Sequence, residues 1–189
     1  LVMTVAYSGG VNYTDTFGTV GIWESTIYRR LMKQKTVPPL KKGPGDQLGE
    51  LVGGYVKEPV PGMYDWVVSF DLNSLYPHLM LQYNMSPETY IPGEKEFITQ
   101  EMVLSEKYKN NNPSISVCAN GAKFSNEKVG IIPQIVDEYY SNRKKIKTEM
   151  LNLEKEVENE ADKRKKAQLK KKINQLHNSQ MAIKILKYS

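Results

Sequence analysis

Asp71 is the residue best suited to chemistry, because it joins an apolar run to a short sequence typical of a helix start. The run Trp66–Phe70 contains valines and aromatic residues and favours a buried strand. Ser74 can cap a following helix over Leu75–Tyr83, and Pro77 suits the first turn of that helix. The sequence therefore predicts a strand, a turn and a helix, with Asp71 at the carboxyl end of the strand.

A carboxylate in that position has a specific chemical use. It can hold a divalent cation, while the first backbone amides of the next helix donate hydrogen bonds to phosphate groups. Two-metal nucleotidyl transfer needs this combination, because the cations clamp the phosphate oxygens during in-line displacement. The ring of Tyr76 would pack beneath the sugar and exclude a 2′-hydroxyl by contact. The alternative interpretation is that Asp71 only caps a helix.

The pattern Asp-x-x-Ser-Leu-Tyr-Pro at residues 71–77 resembles the first polymerase motif of the family B (alpha-like) DNA polymerases, and the flanking segments look most like the tailed-phage branch. The resemblance implies that Asp71 is catalytic and binds metal, with the Leu72 carbonyl as a further ligand and two Mg²⁺ ions in the complete enzyme. Residues 84–89 follow the continuation of this motif and are expected to form caps and turns. The nucleotide contacts that the motif implies are Ser74, Leu75 and Tyr76.

The C-terminal third of the chain is predicted to be a helical arm that begins near Gly130 and is rich in Lys, Glu and Leu. Arg143 and Lys147 lie four residues apart and share a helix face. If the arm folds back with Arg143 level with Lys184, the turn falls near residue 163, within a polar stretch. The three cations would then converge at the base of an antiparallel helical hairpin.

This arm resembles the fingers of family B polymerases, in which an arginine and a lysine of the first helix and a lysine of the second grip the incoming triphosphate. The resemblance implies that Arg143, Lys147 and Lys184 bind the nucleotide, and that closure of the hairpin brings them onto it once a nucleotide is paired. A solvated helix face is the alternative. For the other basic residues of the arm, including residues 163–166, the solvated face is the preferred interpretation, because the family pattern assigns them no role.

Gly53 and Gly54 precede Tyr55 and resemble the Gly-rich segment of the family, which contacts the template backbone. Close approach by a chain without a Cβ atom is the physical reason for glycine at such a contact. A tight loop without a ligand is the other interpretation of the pair.

Composition limits the size and location of the protein. The chain has 189 residues, 40% hydrophobic and 25% charged, enough for one ordinary domain or two incomplete ones. Its one cysteine, Cys118, excludes an internal disulfide framework and is expected to be a packing residue.

No apolar run approaches the roughly 20 residues of a membrane span, and signal-peptide features are missing. We expect a cytoplasmic protein (host cytoplasm if the source is viral) without a membrane partner and, because it begins at Leu1, a fragment of a longer chain.

The formal net charge of +5 is unevenly distributed. Residues 138–189 carry 14 Lys and Arg against 7 Asp and Glu, whereas residues 1–137 carry 12 against 14. A cationic arm beside a carboxylate site suits a polyanion such as nucleic acid. A mixed run of Lys and Glu is also typical of a solvated helix pair, so charge alone leaves both interpretations open.

The second catalytic carboxylate of the family lies in an Asp-Thr-Asp hairpin, and no Asp-x-Asp occurs in these residues. Two metal ions need at least two carboxylates. We therefore expect that this polypeptide alone binds metal and nucleotide poorly and does not extend a primer.

The predicted fold class is α+β, with a partial polymerase palm (an antiparallel sheet with helices) and an antiparallel helical-hairpin fingers subdomain. Residues 1–44 are expected to be the end of a preceding N-terminal, exonuclease-side region and its linker. Residues 45–129 are expected to be the first part of the palm, and residues 130–189 the fingers.

Three local elements are also predicted outside the arm. Val2–Tyr7 is strand-like, and Ile22–Met32 has helical periodicity. A hairpin is expected at Ser116–Ser125, turning on Asn120 and Gly121, because Asn-Gly between short apolar runs is a strong hairpin signal.

The function that the resemblance implies is part of a replicative DNA-dependent DNA polymerase, which adds deoxynucleotides to a primer 3′ end by two-metal nucleotidyl transfer. Its partners would be primer–template DNA and deoxynucleoside triphosphates. One alternative is a non-enzymatic basic helical hairpin that binds nucleic acid or a partner helix. Another is one piece of a split polymerase, completed by a complementing chain that carries the second carboxylate.

Overall fold

The computed structural model describes residues 1–38, 40, 54–72 and 74–188. Within them, six α-helices, one 3₁₀ helix and a small antiparallel sheet confirm the predicted α+β class. No helix among these residues is long and apolar enough to cross a bilayer. The elements are α1 (Val2–Gly9), the 3₁₀ helix (Tyr13–Phe17), α2 (Thr19–Lys33), α3 (Leu75–Gln82), β1 (Tyr90–Ile91), α4 (Gln100–Leu104), β2 (Ile115–Val117), β3 (Lys123–Ser125), α5 (Ile131–Asn159) and α6 (Lys163–Tyr188).

The helical hairpin predicted for the C-terminal third is confirmed by α5 and α6. Lys172 Nζ lies 2.9 Å from Glu149 Oε1 across the pair. Asp162 Oδ1 accepts the Arg164 amide at 2.8 Å and so caps the start of α6. The turn therefore occupies residues 160–162, close to the predicted position.

The hydrophobic core lies at the base of this hairpin, where the N-terminal helices pack against it. Val5 of α1, Ile22 of α2, and Ala182 and Leu186 of α6 are each at most 3% exposed. Tyr139 of α5 packs beside them. The N-terminal helices are thus in direct contact with the hairpin, while the domain boundaries stay predictions.

The strand-like prediction for Val2–Tyr7 is wrong, because these residues lie in α1. The buried residues of α1 are Val5, Ala6 and Gly9, a helical spacing, and the helix packs against α6 and α2. A Cβ at Gly9 would stand 2.9 Å from Ile22 Cγ2, so glycine permits the close approach. Packing of one helical face therefore outweighs the β-propensity of the valines. The neighbouring helical prediction is confirmed by α2.

The strand predicted immediately before Asp71 is not formed. Residues 54–72 contain no helix or strand, and Val67 and Phe70 are 76% and 91% exposed. A strand needs hydrogen-bonded neighbours, and the strands of the described residues pair only among themselves, in the order β1-β3-β2. The segment therefore has a strand-like composition without a sheet to join.

The predicted β-hairpin is confirmed by β2 and β3, which pair antiparallel with Ser116 opposite Phe124. Gly121 closes the turn with a φ of 80°, and its amide donates to the Cys118 carbonyl at 2.8 Å. Cys118 is buried, as expected for a packing residue, and burial raises the pKa of its thiol.

Candidate nucleotide and metal site

Asp71 and Leu72 lie in the segment immediately before α3, and both are exposed. The Asp71 carboxylate and the Leu72 carbonyl are oxygen donors of the kind that Mg²⁺ prefers, so their donor chemistry fits the ion. Among the residues that the structure describes, no cluster of three or more His, Cys, Asp or Glu could hold a metal. The assignment of Asp71 and Leu72 as metal ligands stays a prediction.

The turn that starts α3 has an unusual backbone conformation. Ser74 occupies the N-cap position with a φ of 59° and a ψ of 44°, in the left-handed region that non-glycine residues seldom adopt. Its carbonyl accepts the His78 amide at 3.0 Å and lies 2.9 Å from Nδ1 of the same residue. Leu75 is 44% and Tyr76 68% exposed, whereas Pro77 is buried. Of the predicted nucleotide contacts of this motif, Leu75 and Tyr76 are therefore accessible, whereas Ser74 is buried, at 9% exposure.

Helix α3 packs antiparallel to the first half of α5. Just beyond the C-terminal end of α3, the Asn84 side-chain oxygen accepts the Gly130 amide at the start of α5, at 2.8 Å. Nearer the N-terminal end of α3, the ring of His78 meets Tyr140 edge-on, with centroids 5.0 Å apart. These contacts give the relative direction of the two helices, and Arg143 lies about one turn beyond Tyr140. The turn at the start of α3 therefore points towards the part of α5 that carries Arg143.

The three predicted triphosphate-binding cations lie on one stretch of the hairpin but not at one level. Arg143 Nε donates to Gln180 Oε1 at 3.3 Å, so Arg143 is level with Gln180 and not, as predicted, with Lys184. Lys184 is therefore one turn, about 6 Å, nearer the base, and Lys147 is about 6 Å farther from it. Arg143 is level with Gln180 because the turn between α5 and α6 ends at Asp162, slightly before the predicted turn position near residue 163. Arg143 is half-buried, while Lys147 and Lys184 are exposed.

A set of side chains expected only to cap and turn connects α3 to α5. Asn84, Ser86 and Glu88 accept hydrogen bonds from the three successive amides of Gly130–Ile132. Such amides at a helix start have no acceptor within the helix itself. The capping prediction is confirmed, but the capped helix is α5, more than 40 residues along the chain. Local spacing carries no signal for so distant a pairing.

Glu88 is the ionisable member of this set. Partial burial on its own would raise the pKa of the Glu88 carboxyl. Hydrogen bonds from the Ser86 hydroxyl and the Ile131 amide, with the charge of Lys128, outweigh that effect and lower the pKa below its ordinary 4.5. The fold therefore favours the carboxylate form.

The acid dependence of stability should decrease in Glu88→Gln. Because the folded-state pKa is lowered, the stabilisation by Glu88 is fully present above the unfolded value near 4.5 and is lost as pH falls through the lower folded value. Urea unfolding followed by circular dichroism, at neutral pH and between about pH 5 and pH 3, checks this. Glu94→Gln, at an exposed residue, is the matched control and should follow the wild type. An acid dependence unchanged in Glu88→Gln would contradict the prediction.

Gly54 is the one member of the predicted template-binding pair that the structure describes, since Gly53 lies outside the described residues. Gly54 is exposed, and a Cβ there would meet no atom of the described part of the chain within 4 Å. Template contact at this pair stays a prediction.

Other basic residues of the hairpin have acidic neighbours. Lys165 Nζ lies 3.2 Å from Glu160 Oε2 at the tip, and the Lys172–Glu149 pair links the two helices. The two lysine side chains are 65% and 55% exposed, so these pairs contribute little energy. They fit the solvated-face interpretation of this part of the arm.

Related proteins of known sequence are polymerases. The DNA-directed DNA polymerase of Escherichia phage RB69 is 29% identical over 151 residues, which are 80% of this chain and 16% of that protein. The DNA-directed DNA polymerase of Enterobacteria phage T4 is 28% identical over 150 residues, 79% of this chain and 16% of that protein. The DNA polymerase of Thermococcus hydrothermalis is 30% identical over 136 residues, 70% of this chain and 7% of that protein. The chain thus spans 16% or less of the length of these relatives.

The structural comparison and the family model agree with these relatives. The solved structure of the family B DNA polymerase from the hyperthermophilic archaeon Pyrobaculum calidifontis matches with a TM-score of 0.54 and 19% identity, over 98% of this chain and 22% of that chain. That likeness shows a common fold. The family model described as DNA polymerase family B matches residues 21–187. Because this match covers most of the sequence, the resemblance seen in the motifs is confirmed and the chain belongs to DNA polymerase family B.

Proposed function

We propose that the chain forms the first part of the palm and most of the fingers of a replicative DNA-dependent DNA polymerase, which extends a primer 3′ end with deoxynucleotides. The observation that carries the proposal is the antiparallel packing of α3 on α5, because the turn after Asp71 then points towards the helix that carries Arg143. Family membership supports the same chemistry. The partners are primer–template DNA and deoxynucleoside triphosphates.

In this proposal Asp71 and the Leu72 carbonyl hold Mg²⁺. When bound, the two Mg²⁺ ions of the complete enzyme supply Lewis-acid stabilisation of the charge on the reacting phosphate. The second carboxylate comes from polypeptide outside these residues, because no Asp-x-Asp occurs among them. Two metal ions need at least two carboxylates, so the chain by itself is expected to be inactive.

The other residues of the site bind and orient the nucleotide. Ser74 and Leu75 lie at the start of α3, and the positive end of a helix dipole favours phosphate oxygens there. Arg143, Lys147 and Lys184 would offset the charge of the triphosphate. Their spread of about 12 Å along the hairpin suits a closing movement that delivers them to the ligand, since long basic side chains adapt to such distances.

A primer-extension assay tests the proposal. The isolated chain with Mg²⁺ and all four deoxynucleotides should not extend a primer, whereas the chain combined with a polypeptide that carries the second carboxylate should. Robust Mg²⁺-dependent synthesis by the isolated chain would contradict the predicted division of the active site. Nucleic-acid binding without synthesis in the combined sample would favour the non-enzymatic helical module instead.

A further inference from the structure

The loop that follows α3 makes an unusually complete cap on α5. An α-helix begins with amides that lack intrahelical acceptors, and usually only one of them is satisfied by a capping side chain. Here one short loop supplies a separate side-chain acceptor to each of three successive amides. The pairs are Gly130 N with Asn84 Oδ1 at 2.8 Å, Ile131 N with Glu88 Oε1 at 2.5 Å and Ile132 N with Ser86 Oγ at 3.3 Å.

The capping side chains are themselves held in place. Asn84 is 8% exposed, and its amide nitrogen donates to the carbonyls of Ser125 at 2.6 Å and Lys128 at 2.8 Å. The Ser86 hydroxyl donates to Glu88 Oε2 at 2.6 Å. These bonds leave the loop little freedom to turn relative to the start of α5.

Steric contact also restricts this junction. A Cβ added at Gly130 would stand 2.5 Å from Ser86 Cβ, closer than real Cβ atoms approach one another. Pro133 is buried in the first turn of α5 and contributes no amide there. The loop and the helix start are therefore close-packed as well as hydrogen-bonded.

The geometry of α5 amplifies any change at its base. The helix is continuous from Ile131 to Asn159, and Arg143 lies about 18 Å along it from Ile131. A tilt of about 10° at the base would move Arg143 by about 3 Å. A displacement of that size is enough to separate a cation from a phosphate group that it contacts.

We propose that Asn84, Ser86 and Glu88 are positioning residues that fix the direction of α5 relative to α3, and thereby the separation between Asp71 and Arg143. The part that concerns the nucleotide rests on the proposed function. The part that concerns the direction of α5 does not, because it depends only on contacts within this chain.

Distances between spin labels in the intact chain test the direction of α5. Labels at Gln82→Cys on α3 and Lys155→Cys on α5 use exposed residues, and Cys118→Ala removes the native thiol. In Ser86→Ala/Glu88→Ala, the distribution of label distances should broaden or shift, with helical content retained by circular dichroism. A tilt of about 10° would move Lys155 by about 6 Å, and because Gln82 lies near the base of α5 the distance itself would change by about 2 Å. Glu88→Gln keeps an acceptor for the Ile131 amide and should reproduce the wild-type distribution. An unchanged distribution in the double variant would overturn the proposal.

Kinetics of the completed enzyme separate this inference from the proposed function. The double variant should raise the KM for deoxynucleotide about tenfold or more, while the Kd for primer–template stays unchanged. Glu88→Gln alone should keep the wild-type KM. A changed label distance with an unchanged KM would overturn the link to the nucleotide. If the wild type makes no DNA, the proposed function fails, whereas the label distances still decide the role of the loop.

Discussion

Asp71→Asn should abolish primer extension by the completed polymerase while primer–template binding is retained. Asparagine keeps the shape of the side chain but removes the charge that would hold Mg²⁺, so the transition state loses several kcal/mol of stabilisation. We expect at least about a 10³-fold loss in the rate of single-nucleotide incorporation. Rapid-quench incorporation measures the rate, and fluorescence anisotropy with labelled primer–template measures the Kd.

A neighbouring carboxylate provides the control for this experiment. Asp65 lies in the same exposed segment, and the motif assigns it no role, so Asp65→Asn should keep wild-type incorporation. Near-normal turnover in Asp71→Asn would remove Asp71 from the metal site. An equal loss in both variants would point to the negative charge of the segment and not to one ligand.

Tyr76→Ala should increase ribonucleotide incorporation by the completed polymerase. Tyr76 is 68% exposed on the accessible turn of α3, so removing its ring opens space at that turn. If the ring packs beneath the sugar, its loss removes the steric exclusion of the 2′-hydroxyl. Selectivity for deoxynucleotide over ribonucleotide, measured as a ratio of kcat/KM values, should fall by on the order of 10- to 100-fold.

Tyr76→Phe is the matched control for sugar selection. Phenylalanine keeps the ring and loses only the hydroxyl, so sugar selection should stay near the wild-type value if contact with the ring is the cause. Unchanged selectivity in Tyr76→Ala would remove Tyr76 from this role.

The elements predicted well from the sequence depend on local preferences. The helical hairpin follows from a long run of good helix formers with a polar interruption, and the structure has its turn at residues 160–162. The β-hairpin follows from Asn120 and Gly121, because the positive φ of Gly121 is a local requirement of the turn. Such features need no knowledge of the rest of the fold.

The elements predicted poorly depend on distant contacts. Val2–Tyr7 is helical because one face of α1 packs against α6, which lies at the other end of the sequence. The residues before Asp71 have a strand composition, but no strand among the described residues pairs with them. In the hairpin, Arg143 lies opposite Gln180. This register depends on the exact length of the turn, to within one or two residues, and helical periodicity in the sequence does not determine that length.

The candidate site also contains some features that follow from local sequence and others that depend on distant contacts. Its individual residues are recognisable because the motif around Asp71 and the basic positions of the arm have characteristic spacings. The hydrogen bonds from Gly130–Ile132 to Asn84, Ser86 and Glu88 are not, since they join segments that come together only in the folded chain. Candidate ligand-binding residues are therefore easier to recognise in the sequence than the residues that hold the helices in position.

The most direct test of the account is a structure of the completed polymerase with primer–template, Mg²⁺ and an incoming deoxynucleoside triphosphate. In that complex Mg²⁺ should lie about 2.1 Å from an Asp71 carboxylate oxygen, with Arg143 and Lys147 or Lys184 within hydrogen-bond distance of the same triphosphate. A triphosphate bound away from Asp71, or one that none of these cations contacts in the closed complex, would contradict it.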